Sequence, residues 1–197
     1  MQGLLHSKNY GKLEMTKISN DRQDLLGLIK KNALTFGETT LSSGVKSKYY
    51  IDTKMVTLSP EGAFLTAKIL FDMLKDEDIT AIGGMTIGAD PIVGAFAVLS
   101  HLEKKPIRTF IVRKEPKEHG KQKWIEGPIR DYDKVAVIDD VTTSGGSLLK
   151  AINIIKQQID CDIVKTITLI DRLEGGKEKL KTNGYDLISI FDKNDLF

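Results

Sequence analysis

Cysteine is almost absent from the 197 residues, with Cys161 the single example. One thiol cannot staple the chain to itself, so the fold rests on its core, and a reducing compartment is the simpler expectation. Long apolar runs are missing too. Charged side chains interrupt every one well short of the roughly 20 residues a bilayer span needs. There is no excess of charge of one sign: 29 basic residues stand against 27 acidic ones. No overall field draws the chain to nucleic acid or a membrane surface, although local patches remain open. Residues 1–20 lack the apolar centre and small-residue cleavage site of a secretory signal. They are expected to be a poorly ordered extension, and the location to be cytoplasmic. Histidines are few, and neither His6 nor His101 shows metal-ligand spacing, so surface roles are expected.

What is present has the length for one α/β domain. Leu25, Leu26, Leu28 and Ile29 predict a helix over 21–34, closed by Gly37. Residues 38–58 read as a small antiparallel element around Tyr49-Tyr50-Ile51, with one of the two tyrosines facing the core and the other a cavity. Ser59-Pro60 supplies a cap and a first-turn proline for a helix to about Leu74. Short apolar runs then appear at 80–82, 107–112, 135–138, 163–170 and 187–191. Helical stretches at 90–102, 147–159 and 176–180 separate most of them, the second striped by Leu148, Ile152, Ile155 and Ile159. This alternation predicts a central parallel sheet flanked by helices, with a small N-terminal α+β hood over about 21–58. One domain over 21–197 is expected. Ligands of such sheets bind beyond the carboxyl ends of the strands.

The most informative segment is Val135 to Ser147, VAVIDDVTTSGGS. An apolar strand delivers Asp139 and Asp140, and Thr142, Thr143, Ser144, Gly145, Gly146 and Ser147 lead into a helix. Glycines let successive N–H groups converge on an anion, and the helix start adds partial positive charge. Hydroxyls reach phosphate oxygens. The carboxylates would repel phosphate, but suit ribose hydroxyls or a hydrated Mg²⁺. A capped strand-to-helix turn is the bland alternative, and the neighbouring acids weigh against it, because like charges are rarely kept together without a ligand. The Walker spacing is absent.

This segment resembles the phosphoribosyl pyrophosphate (PRPP) signature of the type I phosphoribosyltransferases. Residues 113–126, RKEPKEHGKQKWIE, form a polar, basic loop. Charge alone would fit a solvated surface loop, yet the order Arg-Lys-x-x-Lys-x-His-Gly resembles the catalytic loop of orotate phosphoribosyltransferases. Phe36 to Asp52 is similar to that family's hood motif, and Asp171-Arg172-Leu-Glu-Gly-Gly176 to the stretch whose arginine holds the orotate carboxylate. The resemblance implies a Mg²⁺-dependent transfer of ribose 5-phosphate from PRPP to N1 of orotate, in pyrimidine (UMP) synthesis. It implies that Lys114, Lys117 and His119 are catalytic and, with Arg113, bind PRPP. Asp139 and Asp140 would bind the ribose hydroxyls and 142–147 the 5′-phosphate, with Val141 also among the PRPP-binding residues. Thr143 and Arg172 would hold orotate. The family's loop closes over the neighbouring subunit's site, which implies a homodimer with Lys114 acting on the partner's PRPP; neither nucleic acid nor membrane is expected as a partner.

One departure stands out. Some members carry a lysine in the loop after the first sheet strand, whereas this chain has GGMTIGADP at 83–91, where backbone N–H groups and Thr86 could serve pyrophosphate instead. A phosphoribosyltransferase for another base and a non-catalytic PRPP-sensing regulator are the rival readings. Trp124 reads as a hinge or interface contact, and Cys161 as unreactive.

Overall fold

The computed structural model describes residues 20–40, 46–116 and 123–197. Residues 1–19 of the expected extension, and Lys117 and His119 of the basic loop, lie outside them.

Helix α1 (20–28) leads into a π-helical turn, Ile29–Ala33, then strand β1 (Leu34–Thr40), which pairs antiparallel with β2 (Lys46–Ile51). Leu25 and Ile29, four apart on one helical face, are fully buried, as the spacing predicts. The expected end of this helix was misplaced. Leu34 already pairs with Ile51 and Phe36 with Tyr49, so the ladder claims these residues before Gly37 is reached. Gly37 lies within β1 at φ 148°, beside a shift of register between Phe36 and Thr39. A partner many residues away decided that boundary, and helical periodicity cannot sense such a partner.

After α2 (Lys54–Thr57), helix α3 (Pro60–Leu74) begins as expected: Ser59 Oγ accepts from the Gly62 N–H at 3.2 Å, and Pro60 fills the first turn. The main sheet follows, with strands β3 (Ala81–Met85), β4 (Arg108–Val112), β5 (Ile125–Glu126), β6 (Lys134–Thr142), β7 (Asp162–Asp171) and β8 (Leu187–Asp192). Its order is β5-β4-β3-β6-β7-β8, parallel throughout except for β5 at the edge. Helices α4 (Ala89–Leu102), α5 (Gly146–Gln158), α6 (Gly176–Thr182) and α7 (Lys193–Leu196) complete the expected architecture.

The pleat of β6 divides the core. Ala136 and Ile138 join one cluster with Leu70, Ile92 and Phe96 from α3 and α4, while Val135 and Val137 join another with Leu148, Ile152 and Ile155 from α5. A strand buried on both faces reads as one apolar run for this reason. The α5 stripe needs one change. The helix ends at Gln158, Ile159 is extended and half-buried, and Ile154 is buried.

At the amino ends of the strands, Asp133 accepts from Thr80 Oγ1 (2.7 Å) and the Arg130 N–H (2.8 Å) and pairs with Arg108. Burial alone would raise this carboxyl, but the donors outweigh it and hold it below its ordinary value. The opposite edge of the sheet is thereby left for chemistry.

Strand β3 runs to Met85, past its expected end at Ile82, because two glycines let its neighbours close in. A side chain at Gly83 would strike the Phe110 ring, and one at Gly84 the Ile138 carbonyl oxygen. Since a backbone carbonyl in a paired strand cannot give way, Gly84→Ala should cost about 1–3 kcal/mol or more in urea denaturation. A variant as stable as the parent would mean that β3 and β6 are not held this tightly.

Candidate active site

The carboxyl ends of β3, β4, β6 and β7 border a cavity of about 470 Å³, where the topology predicts a ligand. Strand β6 carries both acids into it. It does not stop at Ile138, because β7 continues to offer partners: Asp139 lies opposite Thr168, Val141 opposite Ile170 and Thr142 opposite Asp171.

Asp139 is buried, with 7% of its surface exposed, and Asp140 is half-buried; both line the cavity. Burial, and then the charge of Asp140, push the Asp139 carboxyl up to about 8, against the opposing pull of the Asp140 N–H (3.1 Å) and Lys114. Asp140 is held from two sides. Thr53 Oγ1 donates to its Oδ2 at 2.5 Å, and Gly88 lies so close that any Cβ there would meet the carboxylate. Thr53 and Gly88 were not singled out from the sequence, since nothing local connects them with Asp140.

The turn after β6 is built as its residues predict. Gly145 takes the left-handed conformation (φ 74°) as N-cap of α5. Gly176 packs so close to Thr142 and Thr143 that it too has no room for a side chain. Thr143, Ser147 and Val141 line the cavity. Thr142 does not. Its side chain is buried against Gly176, and its hydroxyl has no hydrogen-bond partner among the described residues. Only its backbone remains to serve a ligand. Ser144 and Gly146 are exposed outside the lining.

Arg172 follows β7 and also lines the cavity; taken alone it resembles a surface residue, yet only 3% of it is exposed. Its N–H donates to the Thr142 carbonyl at 2.9 Å, which ties the arginine to the turn after β6. Its Nε donates to Glu174 at 2.9 Å, and the guanidinium stacks 4.4 Å above the Tyr49 ring. Tyr49 in turn packs edge-on against Phe197, centroids 4.8 Å apart. Tyr50, the alternate residue, is exposed and lines the cavity. The expected division of labour between the two tyrosines is therefore seen.

The basic loop divides at its first two residues. Arg113 turns to the edge strand, its N–H donating to the Trp124 carbonyl (2.8 Å) and its guanidinium 3.7 Å from Glu126. Lys114, two residues beyond the end of β4, lines the cavity. Trp124 packs against the second core cluster. Cys161 is half-buried, and burial followed by the charges of Asp133, Asp162 and Asp160 pushes its thiol up, away from reactivity. His101 is exposed at the end of α4. No group of three or more potential metal ligands among His, Cys, Asp and Glu occurs among the described residues, and no helix there is long and apolar enough to cross a membrane.

Also on the wall is Lys54, at the start of α2, which the sequence reading passed over. The hood motif ends two residues before it, at Asp52.

Paired acids beside a hydroxyl-and-glycine turn, at the carboxyl edge of a parallel sheet, define the fold and site of a type I phosphoribosyltransferase. Residues 59–194 match the family model for the phosphoribosyl transferase domain. The orotate phosphoribosyltransferase of Aquifex aeolicus is 40% identical over 179 residues, covering 89% of this chain and 97% of that protein. Among solved structures, the Mycobacterium tuberculosis orotate phosphoribosyltransferase in complex with Fe(III) dicitrate is 34% identical with a TM-score of 0.77, over 89% of this chain and 98% of that one. The same enzyme in complex with PRPP is 31% identical with a TM-score of 0.74, over the same shares. The chain belongs to the orotate phosphoribosyltransferase family.

The Asp139 environment has a measurable consequence. Its folded pKa of about 8 lies above the ordinary 3.8, so between those values the folded chain holds a proton that the unfolded chain has released. Stability of the ligand-free protein should therefore fall as pH rises through that window, and Asp139→Asn should flatten the fall. Melting temperature against pH measures both. A parent and variant with parallel curves would show that Asp139 is ionised throughout.

Proposed function

We infer that this enzyme transfers ribose 5-phosphate from PRPP to N1 of orotate, giving orotidine 5′-monophosphate and pyrophosphate, a step of pyrimidine nucleotide synthesis. The observation that carries this reading is a single cavity bordered by Asp139 and Asp140, by Thr143 and Ser147 at a helix start, by Lys114, and by the buried Arg172. Each group suits one part of the reactants. Asp139 and Asp140 take the ribose hydroxyls. Thr143, Ser147 and the N–H groups opening α5 take the 5′-phosphate. The planar guanidinium of Arg172 matches the orotate carboxylate, and Thr143 lines the same cavity. The PRPP complex of the tuberculosis relative supports the assignment of the donor.

In the transfer, orotate gives up its N1 proton, which ends on pyrophosphate or solvent, and the N1 electron pair forms the new bond to C1′. The C1′–O bond breaks, and its electron pair leaves with pyrophosphate. Charge grows on the departing oxygen, where Lys114 stabilises it more in the transition state than in the ground state. Lys117, His119 and Arg113 add to this in our reading, with the 113–126 loop reaching a neighbouring subunit's site in a homodimer. Two adjacent carboxylates, with no third ligand beside them among the described residues, suit a Mg²⁺ that arrives largely on substrate oxygens and water. When bound, the cation neutralises diphosphate charge. The location assigned is cytoplasmic.

Loss of orotate absorbance in the presence of PRPP and Mg²⁺ tests the reaction, and chelation should abolish it. Arg172→Ala should lower kcat/KM for orotate by about 100-fold or more, because a charge-assisted two-point contact is lost. Turnover of uracil equal to that of orotate by the parent enzyme would instead indicate another base.

A further inference from the structure

The loop between β3 and α4 forms one wall of the cavity through Met85, Thr86, Ile87 and Gly88, and it contains no cation. Thr86 is the polar side chain on that wall, but its donors are already engaged. Its hydroxyl donates to Asp90 Oδ2 at 2.6 Å, and its N–H donates to the Val112 carbonyl at 2.8 Å. A diphosphate resting there would meet the N–H groups of Ile87 and Gly88 and the start of α4. Such groups lack the full positive charge that a leaving group of several negative charges calls for. Asp140, pressed against Gly88, adds repulsion on the same side.

Lys54 lies on that side. It follows Thr53, whose hydroxyl is bonded to Asp140, and the Asp140 charge acts on its ammonium. Its Nζ pairs with Asp52 at 2.6 Å, about a third of the side chain is exposed, and it borders the same cavity as Thr86 to Gly88. The pairing partner is a half-exposed carboxylate of the hood, and such pairs are weak enough to be exchanged for a more highly charged anion.

We propose that Lys54 is a binding residue for the pyrophosphate group of the sugar donor, supplied from the hood to the β3–α4 wall that has no cation of its own. This rests on the function inferred above. It gives that reaction a second cation on its own chain, besides Lys114, to stabilise the leaving group. Lys54 also carries a flexible stem with three donors, so it can follow the diphosphate as it departs.

Calorimetric titration of the intact protein with inorganic pyrophosphate and Mg²⁺, and separately with ribose 5-phosphate, tests the proposal. In Lys54→Gln, pyrophosphate affinity should fall by about tenfold or more, the scale of one charge-assisted hydrogen bond. Affinity for ribose 5-phosphate, which lacks the diphosphate, should stay within about twofold, and Lys54→Arg should recover most of the loss because the charge is kept. A smaller loss for pyrophosphate, or an equal loss for ribose 5-phosphate, would overturn the proposal and leave Lys54 as a partner of Asp52 alone. Binding of neither probe by the parent protein would remove the donor-site reading itself, and this proposal with it.

Discussion

Two carboxylates side by side, one of them buried, form the interaction on which the remainder of the site depends. Adjacent acids at the head of a parallel strand repel one another and lose hydration. The chain meets this cost locally: burial and the Asp140 charge push the Asp139 carboxyl up, while Asp140 accepts from Thr53. Thr53 is fully buried and belongs to the hood segment, so the hydrogen bond that steadies the acid also fixes the hood above the sheet. Gly88 seals the other side. The acid pair therefore ties the hood and the β3–α4 loop to the head of β6, and hydroxyls or a cation brought by a ligand would offset the repulsion between the acids.

Much of this was legible in the residues because the signals are local. The switch from apolar run to acids to glycine turn appears within thirteen consecutive residues, and the pleat of β6 follows from burial on both faces. What could not be read depends on pairing at a distance. The end of α1 was decided by β2, the extension of β6 through its acids by β7, and the burial of Thr142 by Gly176. Thr53, Lys54 and Gly88 were missed on the same ground: each acts at Asp140 or beside it across a large separation in the chain. Arg172 shows the converse. Taken alone it looked like a surface arginine, and only its family context marked it, yet the fold buries it almost entirely.

Its burial raises a question of energy that the neighbouring side chains answer. A buried guanidinium without a carboxylate would be costly, and Glu174 supplies one at 2.9 Å, while the face of Tyr49 covers the cation at 4.4 Å. The arginine is thus held in place by a carboxylate of its own chain before any substrate carboxylate approaches. In the function proposed above, orotate would enter a site already shaped for the charge it carries, and less side-chain entropy would be lost on binding. Glu174 is half-exposed, so it can stay solvated if the incoming carboxylate takes a share of the guanidinium. An uncharged base has nothing to offer in that exchange. Selectivity in this reading arises less from an attraction added for orotate than from a polar arrangement that a neutral competitor would cover without satisfying. Phe197, packed against Tyr49, extends the support, so Arg172 is held through residues far apart in the chain.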